Sequence, residues 1–281
     1  MYNESKKIEL NIDSLARNHY ENFPVSSFLI PVNYRKDIAI VYWFARTADD
    51  FADEGNIENV RRLENLNKFE QEFIDSLKSD SENQYFRALS EVINKRKLTI
   101  QYFLDLLSAF KQDVIKKRYD NYLDVLEYCV RSANPIGRIL LELFNVFDKN
   151  AIMYSDKICT ALQLTNFYQD TKIDFEKGRI YFPKDEMELF LVTEKMFELN
   201  ENNPNIKALV RHNINRTQDL FDEGKMIVSY LPSRFKYEIK WTIAGVEKIL
   251  DKIRKQDYDV FSKRQKLTKM DFFTLFIKNI F

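Results

Sequence analysis

Glycine and proline are scarce: the 281 residues hold 5 Gly and 6 Pro, far below ordinary usage. A β-rich fold needs many turns, and few turn-formers between long charged and apolar stretches predict few, long elements. An all-α fold follows. Only Cys129 and Cys159 are present. They make no metal-binding or redox motif and read as two reduced core thiols. No run of 18 apolar residues occurs, which argues against a transmembrane helix. The opening MYNESKKIEL is polar and charged, unlike a signal peptide. Neither sign of charge is in excess, with 43 Lys plus Arg against 43 Asp plus Glu, so a nucleic-acid partner is not expected. These features predict a cytoplasmic protein.

Aromatics are abundant, 23 Phe and 15 Tyr, within a 45% hydrophobic content. That is enough for a substantial core. Apolar residues recur at three-to-four spacing through Ile38–Ala52, Ile57–Leu77, Tyr85–Ile93 and Ile100–Val114, each an amphipathic helix. Asn121–Phe147 is helical in pattern with a break at Asn134-Pro135, since proline lacks a backbone donor and disfavours helix in the residue before it. A long helix is predicted from about Ala151 to Phe175, ended near Gly178 and Pro183. After a short irregular stretch come Ile206–Tyr230 and Arg234–Arg254, with Ser233 placed to cap the latter. No repeat, low-complexity tract or linker interrupts the chain, so residues 1–281 read as one domain. The end, Met270 to Phe281, is rich in Phe, Leu and Ile and suits either packing on the domain or a peripheral membrane contact.

Two acidic sets stand out. One is Asp49-Asp50-x-x-Asp53-Glu54; the other is Asn166-x-x-x-Asp170-x-x-x-Asp174. Four-residue spacing projects each set from one helical face. Tyr42, Trp43, Phe44, Phe51 and Ala52 surround the first set, and Ile158, Ala161, Leu162, Leu164, Phe167 and Ile173 the second. Helices so apolar belong in the interior, where unpaired carboxylates are expensive. Two such faces turned toward each other would cage a divalent metal. Magnesium takes oxygen donors from a few carboxylates and from substrate phosphates. Arg46 and Arg179 are placed to hold a phosphate; salt bridges to neighbouring acids are the plainer use of both.

With these motifs in view, the chain resembles the squalene/phytoene synthase family of head-to-head prenyl synthases, and within it the bacterial hydroxysqualene-forming branch of the hopanoid pathway. The matching segments are His19-Tyr20-Glu21-Asn22-Phe23-Pro24-Val25, Phe44 through Gly55, Tyr128 through Arg138, Leu162 through Asp170, Gly178-Arg179-Ile180-Tyr181-Phe182-Pro183, Thr242-Ile243-Ala244-Gly245 and Tyr258-Asp259-Val260-Phe261. The resemblance implies an isoprenoid synthase helical bundle around a central apolar cavity, with Mg2+ held by Asp49, Asp50, Asp53, Asn166, Asp170 and Asp174. It implies a prenyl diphosphate substrate, presqualene diphosphate, bound through His19, Phe23, Tyr42, Arg46, Asn134, Gln163, Gln169 and Arg179. Arg46, Tyr128 and Asn166 are the implied catalytic residues, and pathway partner enzymes are compatible with such a role.

Two departures refine this. Condensing relatives often carry arginine before the first aspartate of the second set, where this chain has Gln169, and many carry serine where Asn22 stands. Both agree with a protein that handles one diphosphate. The expected reaction is ionisation of presqualene diphosphate, rearrangement of the carbocation and capture by water to give hydroxysqualene. No glycine-rich dinucleotide fingerprint is present, in keeping with a reaction without reductant. Tyr128, Asn134 and Gln169 are all candidates for orienting the water. Head-to-head condensation of farnesyl diphosphate and a non-catalytic assembly role are the alternatives; the completeness of both acidic sets argues against the latter.

Overall fold

The computed structural model describes residues 29–55, 57–232, 234–268, 270, 271 and 274. His19 and Phe23, the Ser233 cap and nearly all of the apolar C-terminal segment lie outside them. The described residues form helices joined by short connections, with no β-strand.

Helix α1 (Val32–Asp53) buries Ile38, Val41, Phe44, Ala48 and Ala52 along one stripe. It packs against α2 (Asn59–Ser76), α3 (Gln84–Arg96) and α4 (Ile100–Ile115). Aromatic rings fill the space between them: Phe44 lies 4.9 Å from Phe73 and 5.3 Å from Phe103 between ring centres, the spacing aromatic pairs prefer. Asn83 caps α3 by accepting from the Tyr85 amide, and Lys97 ends it at φ 57°.

The break at Asn134-Pro135 is present. Helix α5 (Tyr122–Ser132) stops at Ala133, and Pro135 sits in the first turn of α6 (Asn134–Leu143), where its missing N–H costs nothing. Helix α7 (Lys149–Gln169), capped by Asp148 on the Asn150 and Ala151 amides, is the central element. It packs on α6, on α11 (Pro204–Gly224) and on α12 (Phe235–Lys255). Close approach to α6 is set by Gly137, whose bare backbone faces Ser155 and Cys159.

Three elements depart from the periodicity. The helix expected to run to Phe175 stops at Gln169; Asp170 leaves helical backbone at φ −103°, ψ 14°, and a short α8 (Thr171–Glu176) restarts the chain. Helix α11 gives way at Gly224, a poor helix former, to a 3-10 turn, Lys225–Tyr230. The stretch read as irregular contains two short helices, α9 (Lys184–Leu189) and α10 (Glu194–Glu198).

The chain after α8 is fixed by backbone bonds. Ile180 N–H donates to Lys117 C=O at 3.1 Å, Lys184 to Tyr119 at 2.9 Å and Asp185 to Asp120 at 3.1 Å. Residues following α8 therefore lie along those following α4. This register places Arg179 and Tyr181 beside the end of α4.

Candidate active site

The first acidic set lies on the last turns of α1. Arg46 reaches forward along the helix: its guanidinium is 3.1 Å from Asp49, 2.6 Å from Asp50 and 3.6 Å from Glu54. Asp53 turns away from that group. Its Oδ1 pairs with Arg179 Nη2 at 2.7 Å, and its Oδ2 with the Lys177 ammonium. Both cations belong to the turn after α8, so Asp53 ties the first acidic helix to the end of the second set. Hydrogen bonding from Lys177 and the charge of Arg179 outweigh desolvation and hold Asp53 below the ordinary carboxylate value.

The remaining acids are crowded. Desolvation, with Asp53 and Asp50 nearby, pushes Asp49 up to about 6. Asp174, on α8, is pushed up to about 7 by desolvation and then by Asp170, with Asp53 adding to it. Asp53 of the first set thus bears on Asp174 of the second. Asp170 is held by the guanidinium of Arg264, including a 3.0 Å contact from Nη2. Among the described residues no group of three Asp, Glu, His or Cys side chains stands ready to hold one ion. The expected cage is thus not preformed here, because Lys177, Arg179 and Arg264 neutralise acids that would serve as its walls. The donor set nonetheless suits magnesium, being made of oxygens only.

Tyr42 lies on α1 one turn before Arg46; desolvation raises its hydroxyl above the ordinary value. Gln163 and Asn166 are half-buried on α7, and the Asn166 carbonyl accepts from the Asp170 amide at 2.9 Å. Gln169 is committed elsewhere, its Nε2 donating to the Gln265 carbonyl at 2.6 Å. Asn134 is buried at the α5–α6 junction and accepts from Thr160 Oγ1 at 3.0 Å, a link between α6 and α7. Tyr128 is buried beneath α4. Its hydroxyl donates to Asp113 Oδ2 at 2.6 Å, and its ring lies 5.9 Å from Phe167 and 6.2 Å from Tyr181. Phe167 and Tyr181 stack face to face at 3.6 Å.

Sequence reasoning overlooked Lys177, Asp113 and Arg264. Lys177 follows Asp174 by three residues, a spacing that invites a search for a cation. Asp113 falls on the core face of its helix, four residues after Ala109 and seven after Leu106, a sign that an acid is entering the core. Arg264 carries no local signal; only the tertiary path of the chain after α12 brings it to Asp170.

A sequence profile of the Squalene/phytoene synthase family matches residues 16–271. The chain belongs to that family. Its members are head-to-head isoprenoid synthases, and the all-α fold is theirs. Hydroxysqualene synthase of Rhodopseudomonas palustris is 30% identical over 256 residues, 90% of this chain and 85% of the relative. The crystal structure of squalene synthase HpnC from Alicyclobacillus acidocaldarius superposes with a TM-score of 0.83 at 35% identity, covering 89% of this chain and 94% of that one. A dehydrosqualene synthase solved with a ligand gives the same TM-score, 0.83, at 23% identity over 96% of this chain and 94% of that one, a likeness of fold alone.

Proposed function

We propose that this squalene/phytoene synthase family member, working as one domain, converts presqualene diphosphate to hydroxysqualene. The observation that carries the reading is the convergence of both acidic sets and of Arg46, Lys177 and Arg179 on one place, with Asp53 bonded to the two cations that follow Asp174. Asp49, Asp50, Asp53, Asn166, Asp170 and Asp174 would hold magnesium, which when bound neutralises diphosphate charge and favours its departure. Arg46 and Arg179 bind the diphosphate oxygens by charge-assisted hydrogen bonds. The ring faces of Phe167, Tyr181 and Tyr128 stabilise the positive charge left on carbon. Water then closes the reaction as an alcohol.

Hydroxysqualene is favoured as product by the name of the Rhodopseudomonas palustris relative and by Gln169, whose amide serves a structural bond and brings no charge to Asp170. One observation favours the condensing alternative: Arg264 supplies Asp170 with the guanidinium that position 169 does not. Product identity separates the two. The purified protein is incubated with magnesium and presqualene diphosphate, and separately with farnesyl diphosphate alone, and products are identified by mass. Hydroxysqualene from the first and nothing from the second is expected. Squalene, dehydrosqualene or presqualene diphosphate from farnesyl diphosphate moves the protein to the condensing relatives, and no product from either leaves the non-catalytic reading. Cytoplasmic residence, with or without peripheral membrane contact, belongs to the same proposal; no described helix is long and apolar enough to cross a membrane.

A further inference from the structure

Capture of a carbocation by water leaves one proton too many. The carbon–oxygen bond forms with a protonated oxygen, and an alcohol results only when a base removes that proton. Burial around the site limits the candidates. Gln169 and Asn134 are amides committed to Gln265 and Thr160, and neither is a base.

Tyr128 is different. Its single O–H points at Asp113 Oδ2, 2.6 Å away, so toward any other neighbour the phenolic oxygen offers only lone pairs. Asp113 is buried near the end of α4, with no ion pair among the described residues. Its second oxygen, Oδ1, is buried without a hydrogen-bond partner. A carboxylate kept for structure alone normally has both oxygens satisfied, and a buried exception calls for an explanation. The groups bearing on Asp113 are Tyr128 from α5, Arg179 from the chain after α8, and Asp49 and Asp53 from α1. Asp113 bears in turn on Tyr181, Tyr119 and Lys117. The Lys117 ammonium donates to the backbone carbonyl of Asp113 at 2.5 Å, not to its carboxylate. The pair therefore adjoins the diphosphate site without belonging to its ion pairs.

We infer that Asp113 is the positioning and proton-accepting partner of Tyr128. As water bonds to the cationic carbon, the phenolic oxygen takes the released proton while its own passes to Asp113 Oδ2. One C–O bond forms and one water O–H bond breaks. The Tyr128 O–H is re-formed, and Asp113 ends as a neutral carboxylic acid; nothing is oxidised or reduced. Burial supports the assignment, since it pushes Asp113 up to about 7, where a general base is effective near neutrality. The inference rests on the water-capture reading proposed above.

The test counts alcohol formed per diphosphate released from presqualene diphosphate. Asp113→Asn keeps an oxygen to accept from Tyr128 but cannot take a proton. Its ratio is expected to fall by roughly tenfold or more, within the range general base catalysis contributes, with hydrocarbon formed by proton loss making up the balance. In the unsubstituted protein the ratio declines as pH drops through neutrality; in Asp113→Asn it stays flat. If Asp113→Asn does not fold, Tyr128→Phe is expected to show the same fall. An unchanged ratio in whichever variant folds overturns the relay, as does a loss of diphosphate release with the ratio preserved. An unsubstituted protein that makes no alcohol removes the water-capture reading and the relay together, whereas an alcohol former whose variant keeps its ratio removes the relay alone.

Discussion

Arg179 Nη2 lies 2.7 Å from Asp53 Oδ1, joining the last turn of α1 to the chain just beyond α8. Arg179 is buried, and the carboxylates of Asp53 and Asp113 around it outweigh its desolvation and hold its proton more tightly than usual. Its removal leaves Asp53 with Lys177 alone. Arg179→Ala is expected to lower turnover of presqualene diphosphate by about a hundredfold, the scale of losing one preorganised charge contact in the transition state. Arg179→Lys recovers part of it, because a point charge replaces a planar fork. Steady-state rates of the two variants check this; equal rates for Arg179→Ala and the unsubstituted protein remove Arg179 from diphosphate binding.

Asp49→Ala and Asp170→Ala address the two acidic sets separately. Arg46 keeps Asp50 and Glu54 as partners when Asp49 is lost, so α1 retains its helix. Arg264 loses the Asp170 carboxylate, a partly exposed pair worth about 1 kcal/mol or less. Both variants are expected to fold, with unaltered far-ultraviolet circular dichroism, and to lose turnover by about a hundredfold or more. Each also loses the rise in melting temperature that magnesium with inorganic diphosphate gives the unsubstituted protein. Full activity in both would sink the magnesium reading.

Packing between α6 and α7 depends on a missing side chain. A Cβ on Gly137 would overlap Ser155 Oγ and lie 2.5 Å from Cys159 Sγ. Helix α7 cannot retreat, because α11 and α12 press on its other faces. Gly137→Ala is therefore expected to destabilise the fold by about 1–3 kcal/mol, despite alanine's better helix propensity. Thermal melting checks the size, and combining it with Ser155→Ala restores part of the loss. A melting temperature at or above that of the unsubstituted protein would mean the helices can separate at little cost.

The helices were legible because their cause is local. Apolar spacing marked α1 through α7, α11 and α12, although α1 begins six residues before the pattern and α7 and α11 each end six residues short of it, and Asn134-Pro135 marked its break through backbone chemistry alone. The acids were legible as sets for the same reason, since four-residue spacing defines a face. Their partners were not. Asp53 meets Lys177 and Arg179, and Asp170 meets Arg264, through contacts between segments far apart in sequence. The stop at Asp170 was hidden too: nothing in Gln169-Asp170-Thr171 forbids helix, and the bend appears only where Arg264 and Gln265 arrive from beyond α12.

Asp113 makes stability depend on pH with a definite sign. Its carboxyl titrates near 3.8 when exposed, and burial raises it to about 7 in the folded protein. Below about pH 4 the group is protonated in both states and contributes nothing. Between about 4 and 7 the folded state holds a proton the unfolded chain has released, so stability falls as pH rises. Above about 7 both states are ionised and the full cost of the buried anion is present. A three-unit shift corresponds to about 4 kcal/mol at most. Asp113→Asn carries no charge at any pH. It is therefore expected to melt several degrees above the unsubstituted protein at about pH 8, with the gap closing toward about pH 5. A gap that persists unchanged across that window would show that Asp113 is not the titrating group.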